Sequence, residues 1–236
     1  MPVLLLPLAA RSPSWVFVLF LIAGAAAIGI ALWSDRKRGH AMRLLAKTHG
    51  WHFSPGPDRH IEDRYPHIGR LQQGHSRRAT NLIRGSRNGR DLTVFDYRYV
   101  TGSGKQRKTH RFTGVILDAG YPLDPLSIRH ENVFDQVTAA FGFDDIDFES
   151  TEFSRRFHVT SPRKQWAYTV VNPEAMRFLL DARFYPIELG GREAFAWGAG
   201  RLAPSGIRDA ILLLEGILDR IPPDVQERRR GGHATT

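Results

Sequence analysis

Ten histidines and a group of aspartates are the residues of this 236-residue chain best suited to bind a metal ion. Five of the histidines lie between residues 49 and 75, but their spacings of 3, 8, 7 and 8 match no zinc-binding pattern. Asp144, Asp145 and Asp147 lack the glycine turn and the glutamate that complete an EF-hand loop. The chain has no cysteine, which excludes disulfides, cysteine-based zinc sites and thiol nucleophiles. We therefore predict no metal site.

Two glycine-rich stretches come close to nucleotide-binding motifs. Gly104-Lys105 is followed by glutamine, where a P-loop needs serine or threonine. The stretch GAGRLA at 198–203 satisfies G-x-G-x-x-A, but Pro204 follows it and no later strand carries a ribose-binding acid. No G-x-S-x-G nucleophile elbow is present. The sequence thus predicts no cofactor and no catalytic residue, and it leaves open a site that folding assembles from Asp and His side chains.

The elements that position these residues begin with a run of 19 uncharged residues from Trp15 to Trp33. A helix rises about 1.5 Å per residue, so this run spans the hydrocarbon core of a bilayer, which is about 30 Å thick. The tryptophan at each end suits the membrane interface. We predict a transmembrane helix over residues 15–33. Small residues recur at every fourth position within it, so a homodimer through the span is one alternative.

Basic residues are distributed unevenly around this span. Arg11 is the only one that precedes it, whereas several follow it closely. Those nearest the membrane are Arg36, Lys37, Arg38 and Arg43. By the positive-inside rule, residues 1–14 lie outside the cell and residues 34–236 are cytoplasmic. We also expect these four side chains to contact anionic lipid headgroups.

The segment after the span, DRKRGHAMRLLAKTHGW, predicts a short amphipathic helix with Gly50 as its C-terminal stop. Its predicted apolar side consists of Ala41, Leu44, Leu45 and Thr48. Residues 54–76 hold three prolines and show no clear periodicity, so we predict a loop there, with one short strand as an alternative.

Residues 79–120 carry the strongest β pattern of the chain. Asn88-Gly89 supplies both positive-φ positions of a type I′ turn, between runs rich in Val, Ile, Thr, Phe and Tyr. The loop TGSGKQ separates the second run from a third, so the sequence predicts a three-stranded antiparallel meander. Alternation along the middle strand places Thr93, Phe95, Tyr97 and Tyr99 on one face and Leu92, Val94, Asp96 and Arg98 on the other.

The second half of the chain mixes predicted strands and helices. We predict a helix over 133–142, a strand pair formed by Phe153–Val159 and Gln165–Val171, and a helix capped by Asn172. A hairpin across Gly190-Gly191 follows, and then a final helix capped by Ser205 and stopped by Pro222-Pro223.

These elements predict an α+β fold in which the transmembrane helix precedes a mixed domain of an antiparallel β-meander and packed helices. The domain covers residues 34–223, either as one body or as two lobes at about 34–142 and 143–223. Residues 224–236 are predicted to form a disordered basic tail.

The net charge of +9 combines segments of opposite sign. Residues 58–117 hold 13 basic and 5 acidic residues, whereas residues 118–152 hold 1 basic and 9 acidic residues. The basic segment suits an anionic lipid or nucleic acid. Because its tyrosine-rich strand lacks an RNP pattern, nucleic acid is not the favoured partner. Salt-sensitive binding by residues 77–111 stays open as a hypothesis.

The chain order of one span, the helix AMRLLAKTHGW, the strands ATNLIRG and VFDYRY and the strand EFSRRFHV resembles an uncharacterised family of bacterial single-span membrane proteins. The resemblance covers nearly the whole chain and implies a cytoplasmic α+β domain, but no activity. Our leading hypothesis is a non-enzymatic binding or accessory module whose partners are the lipid bilayer and a protein at the membrane. The alternative is a membrane-bound hydrolase or transferase with an Asp/His site assembled by the fold.

Overall fold

The computed structural model describes residues 14–130 and 146–231. The chain forms two compact units, Met1–Ala41 and Met42–Thr236. The predicted helix over 133–142 lies outside the described residues, as does nearly all of the predicted outer segment 1–14.

The first helix, α1, runs without interruption from Ser14 to Thr48. Among the described residues it is the one helix long and apolar enough to cross a membrane, and none of its apolar window is buried. The helix predicted after the span is confirmed, but it is the continuation of α1, because no proline interrupts the turns that follow the apolar run. The predicted stop is confirmed, since Gly50 follows the helix with a φ of +70°.

The buried side of the last turns of α1 differs from the predicted apolar side. Met42, Leu45 and Ala46 are buried in the core of the second unit. Leu44 and Thr48, both predicted to face inward, are exposed. Met42 removes far more apolar surface from water than a threonine side chain does, which favours the observed side.

The strands of the first half are β1 (His52–Ser54), β2 (His75–Arg87), β3 (Arg90–Thr101) and β4 (Lys108–His130). The predicted meander is confirmed, because β2, β3 and β4 pair antiparallel in chain order, and β1 is added beside β2. Asn88 and Gly89 have φ angles of +51° and +75°, as a type I′ turn requires.

Two later strands, β5 (Phe157–Thr160) and β6 (Ile187–Ala199), both pair antiparallel with β4. The predicted hairpin across Gly190-Gly191 is wrong, because both glycines lie inside the single strand β6. A Cβ atom at Gly191 would lie 2.5 Å from Cδ2 of His67, and Gly191 has a φ of +62°. The glycines therefore make room for His67 and do not turn the chain.

The remaining helices are α2 (Ile61–Arg64), α3 (Thr151–Arg156), α4 (Lys164–Val170), α5 (Pro173–Asp181), α6 (Pro204–Asp219) and α7 (Pro223–Gly231). The predicted strand Gln165–Val171 is wrong, because α4 occupies it and buries Trp166, Ala167 and Val170 at helical spacing. The predicted strand Phe153–Val159 is half wrong, since α3 takes up its first residues before β5 begins.

Of the two helix caps predicted in the second half of the chain, one is confirmed and the other is wrong. Asn172 caps α5 as predicted, because its Oδ1 accepts the N–H groups of Glu174 and Ala175 at 3.1 and 3.0 Å. Ser205 does not cap α6, which begins one residue earlier at Pro204. Pro222-Pro223 follow the end of α6 at Asp219, as predicted. The predicted disordered tail is wrong for residues 224–231, because Pro223 begins a further helix, α7.

The sheet separates two hydrophobic clusters. One contains the aliphatic face of β3, β4 and β6 together with residues of α5 and α6, including Leu179 and Leu214. The other is aromatic and lies under residues 61–71, with Phe95, Tyr97 and Phe112 among its members. The fold class is therefore α+β, as predicted. Both predicted lobes contribute to the one sheet, through β4 and β6.

Candidate functional site

Three of the four basic residues predicted to contact lipid are exposed. They are Arg36, Lys37 and Arg43. Only 8% of the Arg38 surface is exposed. The guanidinium carbon of Arg43 lies 5.5 Å from the ring centre of Phe53, a cation–π distance. Lipid contact by the four basic residues stays a prediction.

The structure does not bring the candidate metal ligands together. His49 stacks on Trp51 with ring centres 4.4 Å apart, whereas His60 Nδ1 lies 3.1 Å from Asp63 Oδ2. Within residues 14–130 and 146–231, no three His, Asp or Glu side chains are grouped so that they could hold a metal ion. Asp144 and Asp145 lie outside the described residues.

Glu188 on β6 is a buried acidic residue, with 8% of its surface exposed. Its Oε2 atom accepts the backbone N–H of Arg70 at 3.2 Å. Burial raises the pKa of its carboxyl group, while that hydrogen bond and the positive charges of Arg129 and Arg70 act in the opposite direction. Glu188 is thus an acid in the protein interior on which the positive charges of two arginines act.

A cavity of about 30 Å³ lies beside this carboxyl group. Its lining consists of His67, Pro125, Leu126, Ser127, Thr160, Pro162, Glu188 and Leu189. A space of this size accommodates a water molecule, whereas ligand pockets measure about 300–1,000 Å³. The geometry brings a histidine and a carboxyl group near one cavity, yet it leaves no room for a substrate between them.

Arg70 packs its guanidinium group against rings of the aromatic cluster. Its guanidinium carbon lies 3.9 Å from the ring centre of Trp197 and 5.7 Å from that of Tyr99. Its Nη1 donates to Gln73 Oε1 at 3.2 Å, and the same oxygen accepts the Tyr99 hydroxyl at 2.9 Å. These contacts fasten residues 70–73 over the rings.

The tyrosine-rich strand is therefore covered and is not a stacking platform. Tyr97 and Tyr99 are 1% and 2% exposed. The Tyr97 hydroxyl donates to the backbone oxygen of Leu71 at 2.8 Å, and burial raises the pKa of this phenol. A nucleic-acid base has no access to these rings in this arrangement.

A cleft of about 610 Å³ lies beside α7, and we call it the α7 cleft. Its lining consists of Asp124, Arg163, Lys164, Gln165, Trp166, Thr169, Val225, Arg228 and Arg229. Four of these residues are cationic and one is acidic, so the cleft attracts an anionic or acidic ligand. Its volume falls in the range of ligand pockets.

Arg229 of α7 contacts the other elements that line the cleft. Its Nη2 lies 2.7 Å from Asp124 Oδ2, and its Nη1 donates to the backbone oxygen of Pro122 at 3.0 Å. Its guanidinium carbon also lies 4.0 Å from the ring centre of Trp166, whose Nε1 donates to the Asp124 backbone oxygen at 2.9 Å. Helix α7 is thus fixed to β4 and α4 by one arginine.

Lys164 and Arg228 are cationic residues that line the α7 cleft. Both are exposed, and Arg228 pairs with Asp224 of its own helix at 2.9 Å. Lys164 makes no ion pair with any residue that the structure describes. The cleft therefore offers a cation at its rim that an acidic ligand can reach.

Sequence reasoning missed both the buried carboxyl group and the α7 cleft. The signal for Glu188 was an acid inside the apolar run YPIEL. The signal for the cleft is the run ERRR in the predicted tail, because Asp224 and Arg228 stand at helical spacing.

The fold and the anchor-length helix together define an α+β protein with one N-terminal apolar helix. The crystal structure of the mycobacterial trehalose monomycolate transport factor A, TtfA, is similar to this chain with a TM-score of 0.58. The similarity covers 80% of this chain and 98% of that chain, at 12% sequence identity, and at that identity it shows the shared fold. No protein-family model and no curated protein matches the chain.

Proposed function

We propose that this chain is a membrane-anchored accessory module that binds a protein partner and carries out no reaction of its own. The observation that carries the proposal is the similarity of fold along nearly the whole length of a protein described as a transport factor. The apolar helix α1 supplies the anchor. These two features support a role as an accessory to transport at the membrane. The motifs quoted above further favour membership of the bacterial single-span family.

We assign the domain to the cytoplasmic side of the cell membrane, with the N-terminus outside. The excess of basic residues directly after the span supports this orientation. Protease treatment of spheroplasts tests it. We expect the domain to stay intact until the membrane is permeabilised, and cleavage of the domain in intact spheroplasts would contradict the orientation.

We assign partner binding to the α7 cleft, because its excess of cations fits an acidic surface on a membrane protein. A photo-crosslinking amino acid placed at the exposed position Gln165, in the full chain and in native membranes, tests this. We expect one discrete cross-linked membrane protein, and a loss of that product of about tenfold in Lys164→Glu.

The matched control is Arg155→Glu, which reverses an equally exposed charge on α3 outside the cleft lining. It should leave the cross-linked product unchanged. Equal losses in the two variants, or a product that is not a membrane protein, would remove the assignment of this cleft.

A further inference from the structure

Three arginines lie side by side across the meander. Arg98 on β3 pairs in register with Arg78 on β2 and with Arg111 on β4. Residues directly opposed in antiparallel strands have Cβ atoms about 4.5–5.5 Å apart on the same face of the sheet. We call these three residues the arginine row. Like charges opposed in this way destabilise a sheet unless something neutralises them.

A β-bulge creates this alignment. Ile83 pairs with Val94, whereas Thr80 pairs with Asp96, so β2 skips one residue between the two pairs. Asn81 lies at this point with a φ of +53°, and its Nδ2 donates to Asp96 Oδ2 at 3.0 Å. Without the bulge the register of the hairpin would place Ala79 opposite Arg98. The bulge therefore brings a second arginine beside the first.

The row lacks a counterion within the part of the chain that the structure describes. There, the guanidinium groups of the three arginines form neither hydrogen bonds nor ion pairs. The Nε atom of Arg98 is buried and has no hydrogen-bond partner. Burial and the positive charges of Arg78, Arg111 and Arg107 lower the pKa of Arg98.

The nearest acid of the same face is already engaged. Asp96 lies one row further into the sheet, and its Oδ1 accepts the Thr113 hydroxyl at 2.9 Å. The hydroxyl oxygen of Thr113 in turn accepts the backbone N–H of Leu202 at 3.0 Å. Asp96 thus connects β3 to the segment before α6, while the arginine row keeps its donors and its charge.

We propose that the arginine row is a binding site for a phosphate group, carried either by an anionic phospholipid or by a soluble phosphate. Guanidinium groups present planar pairs of N–H donors that match phosphate oxygens, and such charge-assisted hydrogen bonds are about twice as strong as neutral ones. A phosphate between the strands also removes the repulsion between the three cations. The row is separate from the α7 cleft, so this site goes beyond the proposed function.

Titration of the full chain in micelles of a zwitterionic detergent tests the proposal. The probes are inorganic phosphate, short-chain phosphatidylglycerol and short-chain phosphatidylcholine. We expect phosphate or phosphatidylglycerol to raise the thermal midpoint, and phosphatidylcholine to have no effect. Arg98→Gln should raise the dissociation constant about tenfold or more. Arg98→Lys should give an intermediate value, because it keeps the charge but loses the planar pair of N–H donors.

The two anionic probes distinguish the sources of the phosphate. A response to phosphatidylglycerol alone assigns the site to a lipid headgroup, and a response to inorganic phosphate assigns it to a soluble ligand. Arg111→Gln changes an exposed side chain and should also weaken binding, so the test does not depend on one half-buried position.

The control is Arg155→Gln on α3, which removes one exposed positive charge outside the arginine row. Arg155 lies near β5, and β5 pairs with β4 only at residues 127–130, away from Arg111. It should bind like the unmodified chain. No response to either anionic probe, or an equal weakening in Arg155→Gln, would overturn the proposal. Neither outcome bears on the cross-linking at the α7 cleft, so the two proposals fail separately.

Discussion

Glu188 and Arg98 are charged residues of opposite sign on the same sheet. Cations act on the acidic Glu188, and cations also act on the basic Arg98. Glu188 is buried, but a backbone N–H donates to it and the positive charges of Arg129 and Arg70 act on it. Arg98 is only half-buried, yet the charges that act on it are three further cations. The difference teaches that this protein neutralises one interior charge with its own residues and leaves the other for a ligand.

Glu215 on α6 belongs with Glu188 in this comparison. Only 6% of its surface is exposed, and it accepts hydrogen bonds from Arg87 Nε at 3.0 Å and from Asn88 Nδ2 at 2.8 Å. The turn between β2 and β3 is thereby tied to α6. Substitution of single residues of each group tests this comparison.

The largest effect is expected from Glu188→Ala. The substitution removes the acceptor of the Arg70 N–H and leaves a void beside two cations, so the free energy of unfolding should fall by about 3 kcal/mol. Chemical denaturation of the full chain in detergent, followed by tryptophan fluorescence, measures this. Glu227→Ala on the exposed side of α7 should change it by less than about 0.5 kcal/mol. Similar losses in the two variants would show that Glu188 is not held as described.

A smaller effect is expected from Arg87→Gln, which removes the cation that pairs with Glu215. Hydrogen bonds to a charged group contribute about 1.5–3 kcal/mol, and Asn88 retains one of them, so we expect a loss of about 2 kcal/mol. The same denaturation experiment measures it. An unchanged free energy of unfolding would show that the Arg87–Glu215 pair contributes as little to stability as an exposed ion pair does.

The pH dependence of stability should report the burial of Glu188. Its pKa in the folded protein is raised above the ordinary value of 4.5, so the unfolded chain loses this proton first as the pH rises. The contribution of this group to stability should therefore fall from about pH 4.5 upward, through the raised pKa. Glu188→Gln lacks this fall, and the stability difference between the two proteins should vary with pH. A constant difference would contradict the shift.

The smallest effect, of opposite sign, is expected from Arg98→Gln without ligand. Removing the middle cation of the arginine row relieves repulsion, so the free energy of unfolding should stay level or rise by about 0.5 kcal/mol. Added sodium chloride should stabilise the unmodified chain more than the variant, because it screens charges that the variant lacks. A clear loss of stability in Arg98→Gln would mean that the row is compensated like Glu188.

The parts of the fold that depend on local signals could be predicted from the sequence. The Asn88-Gly89 turn and the alternation of the middle strand suffice for the meander. The run Gln165–Val171 is rich in strand-forming residues, but burial of Trp166 and Ala167 against the core overrides that preference. Gly190-Gly191 resembles a turn in the sequence, but glycine is needed there because His67 packs against both positions. His67 lies more than 100 positions earlier in the chain, so the local sequence does not reveal this contact.

The charged sites could not be predicted, because each depends on pairing between distant residues. Arg70 and Glu188 are 118 positions apart. The arginine row exists only after the bulge at Asn81 has shifted β2 by one residue, and sequence patterns do not locate such a shift. The basic character of the meander was visible from composition, whereas the alignment of Arg78 with Arg98 was not.

The length of β4 has a consequence for synthesis on the ribosome. Its residues 112–128 need β6 as a partner, but β6 begins only at Ile187, so the ribosome must add a further 60 or so residues before that edge can be paired. During this interval the nascent chain presents an apolar strand edge to other copies. Damage to β6 should therefore appear first as aggregated protein and low yield, before any function of the folded domain is affected.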